Sequence, residues 1–275
     1  ANQRIFRGYG RQLRNVEGDN CTMIPLHDDV PATRTAFVNY AIMSLCGLMF
    51  AWQLSAGEGN RSLVERLGMI PARITAESGK TIVLPERVLL ETPLGVRVVE
   101  GLRPVAPALG SDWLTLISCI FLHGGWLHFL GNMWFLWIFG DNVEDRLGHL
   151  GFAGLYLGTG VVAGLCHLIF NFDSPLPTIG ASGAIAGVMG AYLYLFPYSR
   201  VVTMIPLIFL WPVVELPAPV FLGFWFLMQF LSVTWGMGEQ TAGVAWWAHM
   251  GGFVAGLACA AAIPTQPQPP RTYSA

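Results

Sequence analysis

The sequence predicts an all-α fold, a polytopic membrane bundle of six helices with a long first extramembrane loop. Three observations predict it. The chain has 275 residues, 53% hydrophobic and only 12% charged, with a mean hydropathy of +0.52, where soluble domains carry about 25% charged residues. Apolar stretches long enough to cross a bilayer, about 20 residues each, recur along the chain. The basic charge is lopsided: beyond Arg103 only Arg146, Arg200 and Arg271 remain of fifteen Lys and Arg.

The six predicted spans run roughly Thr35–Ala56, Leu127–Asp145, His149–Asn171, Ser182–Tyr198, Val220–Trp235 and Trp246–Ile263. Trp113–Leu122 is apolar but short, and reads as an interfacial or re-entrant helix. Val201–Val214 is also short and is interrupted by Pro206 and Pro212, so it reads as a loop along the membrane surface. The domain plan is a cytoplasmic N-terminal segment 1–34, a membrane domain 35–263 containing a long first loop 57–126, and a Pro-rich cytoplasmic tail 264–275. Residues 1–22 are polar and Arg-rich with no apolar core, unlike a secretory signal. With Met23 following them, they read as an upstream extension.

Orientation follows from positive charge, which collects on the cytoplasmic side. Arg4, Arg7, Arg11, Arg14 and Arg34 place the N-terminus there, and Arg146, Arg200 and Arg271 fall on the same side after each pair of crossings. The loops Asn171–Ala181 and Gly236–Ala245, predicted outside, hold no Lys or Arg. The first loop is basic yet predicted outside; long loops weigh little in this rule. Several Trp residues near span ends (Trp52, Trp126, Trp235, Trp246, Trp247) fit interfacial belts.

A net charge of −2 gives no basic face for nucleic acid. The five cysteines (Cys21, Cys46, Cys119, Cys166, Cys259) show no paired spacing, so neither a disulfide framework nor a metal site is expected, and no cofactor is implied.

This topology brings polar residues from three spans to one depth. His128 and Asn132 sit four apart at the start of the second span, and so share a helix face. Ser182 opens the fourth span, and His249 lies in the first turn of the sixth. Polar groups inside spans are functional candidates. A serine hydroxyl needs a base to become a nucleophile. A neutral histidine can take that proton and return it to a leaving amine. The oxyanion formed on attack needs donors aimed at it. Asn132, His128 and the Ser182 backbone N–H, at a helix start where N–H groups are free, can supply them. Gly180 and Gly183 flank the serine at a loop-to-helix junction. Gly252 and Gly256 continue the His249 face with small residues that let helices approach closely. Singly, Ser182 could be a helix cap, and His128 and Asn132 polar contacts between helices. His123 reads equally as a structural turn residue or a substrate contact, whereas Glu144 and Arg146 read as helix-end contacts. His149 and His167 carry no functional signal, and the bulky residues of the fifth span (Phe221, Phe224, Trp225, Phe226, Met228, Phe230) read as lipid- or core-facing bulk.

The residues His123-Gly-Gly-Trp-Leu-His128-Phe-Leu-Gly-Asn132, Gly140-Asp-Asn-Val-Glu144-Asp-Arg-Leu-Gly148, Gly180-Ala-Ser182-Gly183 and Ala248-His249-Met-Gly-Gly252 with Gly256 resemble a bacterial-type rhomboid intramembrane serine protease. The resemblance covers nearly everything from Met23 to Ile263. It implies a Ser182–His249 dyad with no acidic third member, and a water-filled cavity open to the outside. The implied substrates are single-span membrane proteins, cleaved at small residues. Span five and the loop after it are implied as a lateral gate, and the implied location is a bacterial cytoplasmic membrane. Asp173 and Glu239 lie in outer loops, but neither is at a spacing that aims it at His249. The sequence departs from the family at Ala186. There many rhomboids carry an aromatic residue, one turn after the nucleophile, that packs on the catalytic histidine. A stacking partner for His249 must then come from elsewhere or be missing. A catalytically silent relative that binds membrane clients is the alternative reading. A small-molecule transporter fits less well, with no internal repeat and no charge at mid-depth.

Overall fold

A computed structural model describes residues 23–77, 80–92, 95–205, 211–234, 245–262 and 264–265. The readings of residues 1–22 as an extension, of Glu239 and most of its loop, and of the tail from residue 266 lie outside the described residues.

Apolar composition and length account for the helices. Helix α1 spans Phe37–Ser55. After two short helices, α2 (Asn60–Leu67) and α3 (Pro71–Thr75), the chain forms a hairpin of β2 (Val83–Thr92) and β3 (Gly95–Pro104). Short α4 (Thr115–Ser118) lies between two 3-10 turns, so 112–121 is the short helical element that its length predicts. Helix α5 runs Trp126–Phe170 and is broken at Gly148, whose φ of 72° and ψ of 166° leave helical space. A left-handed φ suits glycine, so the break falls between Asp145 and His149, where two spans are expected to meet. Each arm of about 22 residues is roughly 33 Å long, enough for a hydrocarbon core of about 30 Å. Helices α6 (Ser182–Leu195), α7 (Ala218–Thr234) and α8 (Trp246–Ala262) complete the bundle. By length and composition alone, α1 and α5 are the two helices among the described residues that qualify as spans; α6 and α7 are apolar but shorter.

The all-α expectation needs correction. The protein is mostly helical, but β1 (Ile24–Asp28), β4 (Arg200–Met204) and β5 (Val213–Pro217) form an antiparallel sheet in the order β1-β4-β5. Of the segment expected to be a surface loop, the described residues at its two ends form a pair of strands in register from Arg200–Pro217 to Met204–Val213. Val-Val-Thr and Val-Val-Glu carry β-branched pairs; the two strands pair with each other, and β4 pairs on its other edge with Ile24–Asp28, far away in sequence.

Helix α6 sits at the centre. Every residue from Gly183 to Tyr192 is buried, as suits a helix apolar all round. Large residues such as Leu48, Leu127, Leu150 and Ile169 lie on the outside and are exposed, an apolar rim that matches a bilayer.

The two sides of the bundle are fixed by different polar contacts. On the Glu144 side, the Glu144 carboxylate accepts the N–H groups of Val38 (2.9 Å) and Asn39 (2.7 Å). These are orphan donors of the first turn of α1, and His149 Nδ1 lies 2.5 Å from the same carboxylate. On the other side, Met69 and Thr178 exchange backbone hydrogen bonds, tying the first loop to the strand-like approach to α6. Within that loop, Glu65 is paired with Arg103 and accepts the Ala106 N–H at 3.0 Å. Burial pushes the Glu65 carboxyl up, but Arg103, the Ala106 N–H and Arg61 together hold it below its ordinary value.

Candidate active site

Ser182 is the first residue of α6. What aims it is the turn before it. Gly180 has a φ of +131°, a conformation that L side chains rarely adopt, and its N–H donates to Cys119 O at 2.9 Å. A Cβ on Gly180 would lie 2.7 Å from His128 Cε1 and 2.8 Å from His128 Nε2. The glycine therefore does two things: it makes the turn, and it leaves room for the His128 ring beside the serine.

Helix α8 reaches Ser182 by backbone-to-backbone contact. Cβ atoms on Gly252 and Gly256 would overlap the carbonyl oxygens of Gly183 and Gly187, and one on Gly190 would overlap that of Phe253. The small-residue faces expected from sequence are thus the α6–α8 contact surface. Their approach sets His249 Nε2 2.7 Å from Ser182 Oγ, hydrogen-bond distance for a hydroxyl.

The second polar pair comes from the first turns of α5. Asn132 is buried, and its Nδ2 makes no hydrogen bond among the described residues. His128 Nδ1 accepts from the Gly124 N–H at 3.3 Å. His123 is buried next to them, its ring edge-on to His128 with centroids 5.5 Å apart. Its backbone is held reciprocally by Gln53: the His123 N–H donates to Gln53 Oε1 (2.9 Å) and Gln53 Nε2 donates to His123 O (3.0 Å). The structural role for His123 thus has visible partners. A cavity of about 30 Å³ lies under the serine, lined by Ser182, Gly180, Gly183, Ala184, Ile120 and Gly160 among others. It is large enough for one water or a methyl group.

Three residues near His249 were not legible as site residues. Gln229 of α7 places Oε1 2.7 Å from His249 Nδ1. The Trp225 ring, also on α7, lies 6.0 Å from the His249 ring and tilted 40° to it. The Trp246 ring meets it edge-on at 5.9 Å. Ala186 is fully buried in α6, and the aromatic groups around His249 come from α7 and α8 in its place. One signal for Gln229 was present in the sequence: it is a lone carboxamide in a predominantly apolar span, and such residues hydrogen-bond across to a neighbouring helix.

Residues 110–265 match the Rhomboid domain model. The chain is 38% identical over 84 residues to RHOMBOID-like protein 5 of Arabidopsis thaliana, covering 30% of this chain and 27% of that protein. It is 31% identical over 160 residues to Rhomboid protein 1, mitochondrial, of Saccharomyces cerevisiae, covering 54% and 42%. It is 38% identical over 90 residues to Rhomboid protease GluP of Bacillus subtilis, covering 33% and 17%. Each match spans less than half of the relative's length. With the family domain covering more than half of its residues, the chain belongs to the rhomboid family of integral membrane proteins.

Proposed function

We propose that the protein is an intramembrane serine endopeptidase that cleaves single-span membrane proteins, with Ser182 as nucleophile and His249 as general base. The observation that carries the reading is the 2.7 Å contact between Ser182 Oγ and His249 Nε2, held inside an apolar bundle. Membership of a family that includes a relative named as a protease adds to it.

The chemistry runs in two halves. Ser182 Oγ attacks the scissile carbonyl carbon while its proton passes to His249 Nε2. The resulting oxyanion accepts from the Asn132 amide, from the His128 ring and from the Ser182 N–H at the head of α6. Collapse breaks the C–N bond, and His249 gives its proton to the leaving amine, so that an ester on Ser182 remains. Water then attacks the ester as His249 takes its proton. The acid leaves, and Ser182 regains the hydrogen. The small cavity under Ser182 favours a small side chain at the cleavage point.

In this reading the six helical rods, counting both arms of α5, all cross the membrane. The N-terminus is cytoplasmic and the serine opens to the opposite side of a bacterial cytoplasmic membrane. The test is cleavage of a model transmembrane substrate by the wild type and by Ser182→Ala, alongside labelling by a fluorophosphonate probe. Labelling and cleavage that vanish in Ser182→Ala support the reading. A wild type that neither labels nor cleaves favours the silent client-binding relative. Ala186 is the one residue that leans toward that alternative, and the packing of Trp225 and Trp246 on His249 removes most of its weight.

A further inference from the structure

We infer that Gln229 is a positioning residue for His249: its side-chain oxygen fixes the imidazole in the one tautomer that can act as base toward Ser182. The inference rests on the protease reading above.

A neutral imidazole has one N–H donor and one acceptor, and the contact at one nitrogen decides the role of the other. His249 Nδ1 faces Gln229 Oε1 at 2.7 Å. A carbonyl oxygen only accepts, so this bond requires the proton to be on Nδ1. Nε2 then carries the lone pair, and Nε2 is the nitrogen that lies 2.7 Å from Ser182 Oγ. The opposite tautomer would require the Gln229 amide to turn over and donate to Nδ1, and it would leave no acceptor for the serine proton at Nε2.

The setting makes this bond matter. Gln229 is buried, 9% exposed, so water competes little for its oxygen. Among the described residues no carboxylate is bonded to His249; the only side chains hydrogen-bonded to its ring are Gln229 and Ser182. Trp225, one turn before Gln229 on α7, flanks the same ring. Helix α7 thus holds the base through two residues on one helix face, while α6 supplies the nucleophile.

A carboxamide is a measured choice for this place. It orients the ring as a carboxylate would, and does so without burying a charge among apolar residues. A neutral acceptor also stabilises the imidazolium less than an anion would, which bears on the pH at which the base is free.

The decisive variants are Gln229→Leu and Gln229→Glu in the full chain, purified in detergent and reconstituted in bilayers. Leucine fits an apolar span and removes the acceptor. Fluorophosphonate labelling and kcat for a transmembrane substrate should both fall about ten- to hundredfold with KM little changed, since only orientation of the base is lost. Glutamate restores an oxygen at Nδ1. Activity should return to within a few-fold of wild type, and the acid limb of the kcat/KM profile should move to higher pH. The sign follows from the base: a nearby anion raises the imidazolium pKa, so His249 becomes neutral only at higher pH. A Gln229→Leu protein that labels at the wild-type rate overturns the inference while leaving the protease reading intact, as does a Gln229→Glu profile with no shift. A wild type that does not label overturns both.

Discussion

Asn132 and Asn142 lie on the same arm of α5, ten residues and about 15 Å apart, and they do opposite things. The amide nitrogen of Asn142 donates to Asp28 Oδ2 at 2.8 Å, and Tyr192 donates its hydroxyl to that same oxygen at 2.5 Å. The amide nitrogen of Asn132 is equally buried and donates to nothing among the described residues. Buried donors are nearly always paired, and an unpaired one costs about 1–3 kcal/mol. One asparagine therefore fastens the N-terminal strand to the bundle. In the protease reading proposed above, the other is a donor kept for an acceptor that arrives with the reaction. The difference is one of pairing: one buried amide is satisfied and the other is not.

Alanine at each position should break the two roles apart. Asn132→Ala removes a donor that stabilises nothing in the resting protein. It should lower kcat roughly 10²- to 10³-fold, the usual effect of losing one oxyanion donor, and leave thermal stability unchanged or slightly raised. Asn142→Ala should do the reverse, lowering stability by about 1–2 kcal/mol and leaving kcat within a few-fold. Thermal unfolding in detergent and steady-state cleavage, measured on both proteins, decide it. Equal loss of activity in the two variants would mean that the contrast is not functional.

The Asn142 side of the bundle offers a second, smaller contrast. Glu144 uses one carboxylate oxygen for the Val38 N–H and the other for the Asn39 N–H, a cap for α1 supplied from another helix. Glutamine retains one acceptor oxygen and puts a donor against the second N–H. Glu144→Gln should cost about 1.5–3 kcal/mol of stability, as expected for hydrogen bonds to a charged group. The rate of fluorophosphonate labelling at Ser182 should not change at temperatures where the variant is folded. A slower labelling rate would show that the α1 cap is felt across the bundle.

How far these roles were legible in the sequence follows the same division. The long helices were readable because a span announces itself by length and apolarity. The ends of α1, α6, α7 and α8 and of the two arms of α5 fall within a few residues of their expected places, whereas α2 and α3 inside the first loop had no such signal. Ser182, His249, His128 and Asn132 could be grouped because topology alone brings helix starts to one depth. Strands β4 and β5 were not readable. They are five residues each, and β4, which joins β5 to the sheet, pairs on its other edge with Ile24–Asp28, a partner some 175 positions earlier; such long-range pairing leaves no local periodicity. Gln229 was passed over because its neighbours Phe226, Leu227, Met228 and Phe230 set the character of the segment. The contact to His249 needs two helices to be placed before it exists. The partner for the base departs from the expected aromatic at Ala186 for the same reason: support at a ring can come from any helix that packs on it.

Asp28 gives the smallest effect and ties it to pH. Its carboxyl is pushed from 3.8 up to about 7 by burial first and by the nearby charges of Asp141 and Asp29 as well. The hydrogen bond from Tyr192 acts in the opposite direction and does not offset them. The native state therefore holds this proton more tightly than the unfolded chain does. Between about pH 4 and pH 7 the native state binds more protons, so stability falls as pH rises through that window and levels off above it. Replacing Asp28 by Asn removes the titration and keeps an oxygen for Tyr192 and Asn142 to donate to. Melting temperature measured from pH 4.5 to pH 8 should decline less steeply for Asp28→Asn than for the wild type. The variant should also be the more stable of the two at the alkaline end. Parallel curves would remove Asp28 as a source of the slope, and the strand it anchors would then be held without regard to its charge.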